Sequence, residues 1–262
     1  MTTDPGEVVV PARVGAQHAA PLQLAVPERW HLIIDPIGRP GADNMAVDEA
    51  LLVEADRRGA AFLRLYRWDP PCLSLGRNEP AIERGGIATV RRPTGGRAVW
   101  HEHEVTYAVA APIAAFGRLR DAYRAIHERL AAALRSLGAD AKLAQDGPTV
   151  RRSDRPTSCF ASSVGGEVLV AGRKVIGSAQ VRRGSVFLQH GSILLDGSQD
   201  IVNAVSGQPS AVSGETTLRQ ALGRSVGFEE VCAAILATWD DPLVQSARPA
   251  IRRSALQETW RR

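Results

Sequence analysis

A chain of 262 residues with 44% hydrophobic and 23% charged side chains has ordinary globular usage, which excludes a fully disordered, collagenous or disulfide-scaffold protein. No apolar run approaches the roughly 20 residues that cross a bilayer, and no compact apolar stretch follows a basic start, so a soluble, unexported, cytoplasmic protein without a membrane partner is expected. The net charge of +4 comes from 32 basic residues spread among 28 acidic ones without a sustained cluster, which gives nucleic acid little to bind.

In chain order, residues 1 to 28 mix Pro, Gly, Ala and polar residues without a period and read as a mobile tail. His31 to Asp35 reads as a short strand and Pro36 to Gly41 as a loop, after which Asn44 is placed to cap a helix carrying Ala46, Val47, Leu51 and Ala55. Phe62 to Trp68 and Cys72 to Leu75 are strand-like and split by Asp69-Pro70-Pro71, and a further strand pair is expected to flank Thr94 to Arg97. From Leu119 to about Leu137, apolar residues recur every three or four positions, predicting a one-faced helix that Gly138 stops. Glu167 to Val170, Lys174 to Val181 and Ser185 to Leu195 predict a three-strand meander. Helices follow around Thr217 to Leu222 and Phe228 to Trp239, with polar, less regular sequence beyond. The order of elements predicts an α+β fold, mostly antiparallel, with helices packed over one face.

Two segments carry residues suited to chemistry. In Arg91-Arg92-Pro93-Thr94-Gly95-Gly96-Arg97, the glycines let backbone N–H groups approach a ligand, or simply make a hairpin turn; the missing Gly-Lys-[Ser/Thr] ending excludes a P-loop. His101 and His103 would share one face of a strand, but no well-spaced third ligand accompanies them, and no metal is expected. His101 is read as polar lining beside the glycine loop and His103 as a solvent-facing residue.

The second segment joins Cys159, Lys174 and His190. Three cysteines, odd in number and far apart, suit a reducing compartment; Cys72 and Cys232 fit a core, whereas Cys159 lies in a polar, small-residue stretch expected to be a loop that meets substrate. The chain holds two lysines, Lys142 and Lys174, against thirty arginines, so a retained lysine hints at a need for a compact ammonium. Lys174 follows a turn, where an exposed lysine is the simpler reading. It precedes the small residues Gly177, Ser178 and Ala179, where a ligand can come near the backbone.

Five ordered blocks make the chain resemble the biotin/lipoate protein ligase family: Asn44 to Ala50, Leu73 to Arg77, Arg91 to His101, Lys174 to Gln180, and Gln189 to Ser192. The resemblance implies one catalytic domain over residues 29–262, with Lys174 beside an acyl carbonyl. It also implies an acyl pocket lined by Arg92, Thr94, Gly95, Gly96, Arg97, His101, Gly177, Ser178, Ala179 and His190. Gly95-Gly96-Arg97 in place of three glycines, and Cys159 upstream of the Glu167 strand, resemble the family's octanoyltransferase branch.

That branch implies thioester transfer through Cys159 from octanoyl-acyl carrier protein to a lysine of a lipoyl domain or glycine-cleavage H protein, without ATP or metal. Arg77, Arg91 and Arg182 would then serve partner docking, and the working unit is expected to be a monomer. The alternatives are a lipoate ligase using ATP and Mg, an amidotransferase acting between lipoyl proteins, and a non-catalytic acyl-binding module.

Overall fold

The computed structural model describes residues 27, 29–80, 86–145, 165–206 and 214–249. The tail reading for residues 1–28 therefore falls, apart from Pro27, outside the described residues, as does Cys159.

The first half of the described chain runs β1 (Trp30–Arg39), α1 (Gly41–Arg58), β2 (Ala61–Trp68), β3 (Cys72–Leu75), β4 (Thr89–Arg91), β5 (Val99–His101), β6 (Glu104–Pro112) and α2 (Leu119–Ser136). The second half runs β7 (Ala141–Leu143), β8 (Val168–Val170), β9 (Arg173–Lys174), β10 (Ile176–Arg183), β11 (Val186–Leu194), α3 (Asp200–Ser206), α4 (Leu218–Leu222), α5 (Phe228–Ala237) and β12 (Leu243–Gln245). A six-stranded sheet has the order β10-β11-β6-β2-β1-β12, and two three-stranded sheets have the orders β4-β3-β5 and β7-β8-β9.

The α+β class holds, with three departures from the sequence reading. First, β1 pairs in parallel with β2, for which α1 supplies the crossover, and also in parallel with the distant β12. Second, helices cover both faces of the large sheet. Along β6, Val105, Tyr107, Val109 and Ala111 pack with Ile126 and Leu130 of α2 and Val231 and Ile235 of α5, while Ala108 and Ala110 face Val47 and Leu51 of α1. Burial on both sides leaves β6 without a polar alternation, and it was not read as a separate element. Third, the meander is interrupted. The β8–β9 hairpin turns on Ala171 and Gly172, both at positive φ, but Val175 then bonds to Val168, so Lys174 belongs to the small sheet and Ile176 opens the large one.

Smaller corrections have local causes. β1 runs through Ile37 and Gly38 to Arg39, which pairs with Trp68 across a register shift, so the Pro/Gly stretch is strand rather than loop. α1 begins at Gly41 behind Pro40, so Asn44 is not its cap; instead Asn44 Nδ2 donates to the carbonyls of Arg39 and Arg67. β4 and β5 flank the glycine loop yet never pair with each other, since β3 lies between them, and this removes the hairpin reading of Gly95-Gly96.

One buried ion cluster ties these elements together. Arg64 lies in the middle of β2 with no exposure, and all five of its N–H donors are used. Nε and Nη2 reach Asp35 Oδ2 at 3.1 and 3.0 Å, Nη2 also reaches Asn44 Oδ1 at 2.8 Å, and Nη1 reaches Asp48 Oδ1 at 2.8 Å and the Asn44 carbonyl at 3.1 Å. Replacing Arg64 with Met leaves the buried Asp48 carboxylate without its guanidinium, while Asp35 keeps Arg248 at 2.9 Å; the expected loss is about 3–5 kcal/mol of unfolding free energy, measured by urea denaturation.

Candidate active site

A pocket opens where the ends of β10 and β11 meet β2 and the small β4-β3-β5 sheet. Gly177, Ser178 and Ala179 of β10 and His190, Gly191 and Ser192 of β11 form one wall. Met45, Tyr66, Trp68 and Val99 give an apolar side suited to an acyl chain, and Ser74, Arg92, His101 and Thr106 are polar. Of the ten residues expected to line it, six do so: Arg92, His101, Gly177, Ser178, Ala179 and His190.

The remaining four, Thr94 to Arg97, do not line the pocket but form a loop bonded to two residues that do, Arg92 and His190. Arg92 holds that loop from beneath: its guanidinium donates to the carbonyls of Gly95 (3.2 and 2.9 Å), Arg97 (2.6 Å) and Ser74 (3.1 Å) and to Ser74 Oγ (3.1 Å). Gly96 has φ +91°, which side chains rarely adopt, and a Cβ on Gly76 would lie 2.1 Å from the Gly96 carbonyl oxygen. The Leu73-to-Arg77 block thus serves the loop's close approach.

Arg91, expected at a docking surface, donates through Nη1 to the carbonyls of Gly76, Arg77 and Glu79 at 2.8, 3.1 and 2.7 Å. Arg77 and Arg182 are exposed and bond to the carbonyls of Pro93 and Gly184.

Asp48 links the loop to the buried cluster. Burial raises its carboxyl, but the His190 hydrogen bond and the Arg64 charge outweigh that and hold it below the usual carboxylate range. Burial drives His190 below its ordinary value despite Asp48, so near neutral pH its Nδ1–H donates to Asp48 Oδ2 (2.9 Å) and its bare Nε2 accepts from Thr94 Oγ1 (2.7 Å). Tyr66 donates its hydroxyl to Asp48 Oδ2 at 2.9 Å.

On the opposite rim, His101 bridges Glu104 Oε1 (2.8 Å) and Ser74 Oγ (2.7 Å) and stacks on Trp68 at 3.9 Å. β5 ends at His101, and His103 stands in the following bend with an exposed side chain, so the two do not share a strand face. Among the described residues, no group of three or more His, Cys, Asp and Glu side chains is arranged to hold a metal.

Lys174 is buried, not an exposed turn residue, and its Nζ donates to Glu167 Oε1 at 2.5 Å. It does not line the pocket. Cys72 and Cys232 are core thiols that burial pushes up to about 11 and about 12, so neither forms a thiolate at neutral pH.

The sequence reading missed His127, Tyr107, Glu104, Ser74 and Arg64. A charged residue amid the apolar run of β2, and a histidine on the apolar stripe beside Ile126 and Leu130, were the available signals.

The sequence model of the lipoyl protein ligase A/B catalytic domain matches residues 40–240. The chain belongs to that family. Among curated relatives, octanoyltransferase LipM of Carboxydothermus hydrogenoformans is 44% identical over 60% of this chain and 61% of its own length. LipM of Moorella thermoacetica is 38% identical over 78% of this chain and 79% of its own, and LipM of Symbiobacterium thermophilum 39% over 79% and 84%. In fold, the lipoyl ligase-type domain here resembles lipoate-protein ligase A bound with ATP, with a TM-score of 0.68, 21% identity and coverage of 88% of this chain and 94% of that one. A putative lipoate protein ligase from T. acidophilum with bound lipoic acid gives 0.68, 21%, 89% and 95%.

His127 makes this chain's folded state sensitive to acid. Burial lowers its imidazole from 6.5 to about 4, so below about pH 6.5 the unfolded chain binds a proton that the folded chain does not. Stability therefore falls as pH drops through that window, by about 2 kcal/mol between pH 7 and 5 from this residue, and His190 adds in the same direction. Urea midpoints at the two pH values check this; His127→Gln is expected to flatten the dependence by about that amount.

Proposed function

We propose that this chain is an acyltransferase of lipoate biosynthesis that moves an octanoyl group from octanoyl-acyl carrier protein to a lysine of a lipoyl domain or H protein. The observation that carries this reading is the identity to LipM octanoyltransferases, 38–39% across nearly four fifths of the chain. The apolar pocket wall of Met45, Trp68 and Val99, next to an arginine-held glycine loop, supports an acyl ligand.

In this reading the Cys159 thiolate attacks the donor thioester. The bond to the carrier sulfur breaks, the carrier thiol leaves, and an octanoyl-enzyme thioester forms. The acceptor lysine's amine then attacks that thioester, forming an amide and returning the Cys159 thiol. Lys174, which the family resemblance sets beside the acyl carbonyl, would polarise it and stabilise the oxyanion of each tetrahedral intermediate once it turns from Glu167 toward the substrate. Because the acyl group arrives activated as a thioester, the scheme calls for neither ATP nor metal. We place the reaction in the cytoplasm with a monomer as the working unit; no helix among the described residues is long and apolar enough to cross a membrane.

Incubation with octanoyl-acyl carrier protein is expected to add one octanoyl group by intact mass, and Cys159→Ala to abolish both the adduct and transfer. Transfer retained by Cys159→Ala would overturn the covalent route, and ATP-dependent pyrophosphate release without an adduct would point to a ligase. Lys174→Ala is expected to lower the transfer rate roughly 100- to 1000-fold. Lys174→Arg is not expected to restore it, because a guanidinium fork cannot take the place of a point ammonium.

A further inference from the structure

Behind the pocket wall lies a line of hydrogen bonds whose direction is fixed at one end. His127 of α2 is fully buried, and its Nδ1 lies 2.6 Å from the Gly166 carbonyl oxygen, which only accepts, so the ring proton sits on Nδ1. With burial holding the imidazole down to about 4, Nε2 is a bare acceptor at neutral pH.

Ser178 Oγ lies 2.8 Å from Nε2 and Tyr107 OH 3.3 Å; the two short contacts of Ser178 each need a hydrogen, which assigns the donation to Nε2 to Ser178. Tyr107 OH, 2.7 Å from Ser178 Oγ, must donate in its turn, and Gln189 Nε2 supplies Tyr107 OH at 2.8 Å. Gln180 Nε2 completes the line by donating to Gln189 Oε1 at 2.7 Å. Every hydrogen points from β10 and β11 toward Gly166.

The consequence falls on the pocket. Ser178 lines it and is only partly buried. A hydroxyl has one hydrogen and two lone pairs; here the hydrogen goes to His127 and one lone pair takes the Tyr107 hydrogen. What Ser178 offers to an entering molecule is therefore a lone pair. It cannot donate to a carbonyl oxygen or an oxyanion; it suits an N–H.

We propose that Ser178 accepts an N–H from the attacking amine of the acceptor lysine, with His127 as the positioning residue that keeps the serine hydrogen out of the pocket. This rests on the acyl-enzyme reading above. The amine nitrogen gains positive charge as its bond to the acyl carbon forms, so an oxygen lone pair facing it strengthens in the transition state, an advantage absent for an unreacting amide of the donor arm. In that step the C–N bond forms, the C–S bond to Cys159 breaks, and the proton lost from nitrogen ends on the departing sulfur. His127 neither gains nor loses a proton.

The test separates the two half-reactions. Loading is followed by intact mass after mixing with octanoyl-acyl carrier protein, and transfer by decay of the preloaded adduct when a lipoyl domain is added. In Ser178→Ala, transfer is expected to slow roughly ten- to a hundredfold more than loading. His127→Leu is expected to show the same imbalance, and His127→Gln, whose amide oxygen can accept from Ser178, to recover part of the transfer rate; thermal melts establish that each variant folds. Equal slowing of both halves, slowing confined to loading, or no change in Ser178→Ala would overturn the assignment alone. Absence of any adduct in the unaltered protein would overturn the acyl-enzyme reading and this assignment with it.

Discussion

The Asp48–Arg64 pair is the contact on which the pocket side of this molecule depends. A carboxylate on α1 and a guanidinium on β2, both without solvent exposure, offset each other's burial, with Asp35 as the second carboxylate on Arg64. Their geometry leaves no spare donors on Arg64, and the second oxygen of Asp48 is shared by Tyr66 and His190. Through His190 the constraint extends to Thr94 and so to the glycine loop. One helix, two strands and a ligand-facing loop are thereby held in register by charge pairing rather than by apolar packing alone, which gives the loop a defined position before any acyl group arrives.

The two faces of the large sheet solve the problem of buried polarity differently. Toward α1 the network is ionic; toward α2 it is a line of neutral groups from Gln189 through Tyr107 and Ser178 to His127. The alternation of β11 makes this possible, since Gln189 and His190 point to opposite faces. Gly191 lets Ser178 join the α2 side: a Cβ there would lie 2.4 Å from Ser178 Oγ and 2.5 Å from the Gly177 carbonyl oxygen.

Local signals in the sequence were sufficient for α2, α5 and the β8–β9 turn, where apolar period or turn chemistry matches the element. They failed at β6 and β12, the one lacking a polar face and the other defined by pairing with a distant strand. In the site, residues in short motifs with glycine or a rare lysine stood out, among them Arg92, Gly177 and His190. Asp48 lies inside the Asn44-to-Ala50 block without standing out, and His127 lies in no block, because their roles arise from partners 142 and 51 residues away. Arg91 and Arg92 are adjacent and alike in type, yet both hold loops from within, since an arginine's fork satisfies several backbone carbonyls as readily as an incoming anion.

The break at Val175 gives the two sides of the chemistry a common origin. A continuous strand would set Lys174 and Ser178 on one face of one sheet; the switch instead pairs Lys174 with Leu169 in the small sheet while Ser178 pairs with Gly191 in the large one. The ammonium consequently meets Glu167, which follows directly on Gly166, the residue whose carbonyl fixes the His127 tautomer. After burial, the charge of Lys174 is a further cause that lowers His127. In the proposed scheme a cation that polarises an acyl carbonyl would therefore also help burial to keep the imidazole unprotonated, so that attraction for the carbonyl oxygen and acceptance of the amine hydrogen by Ser178 would follow from the same placement.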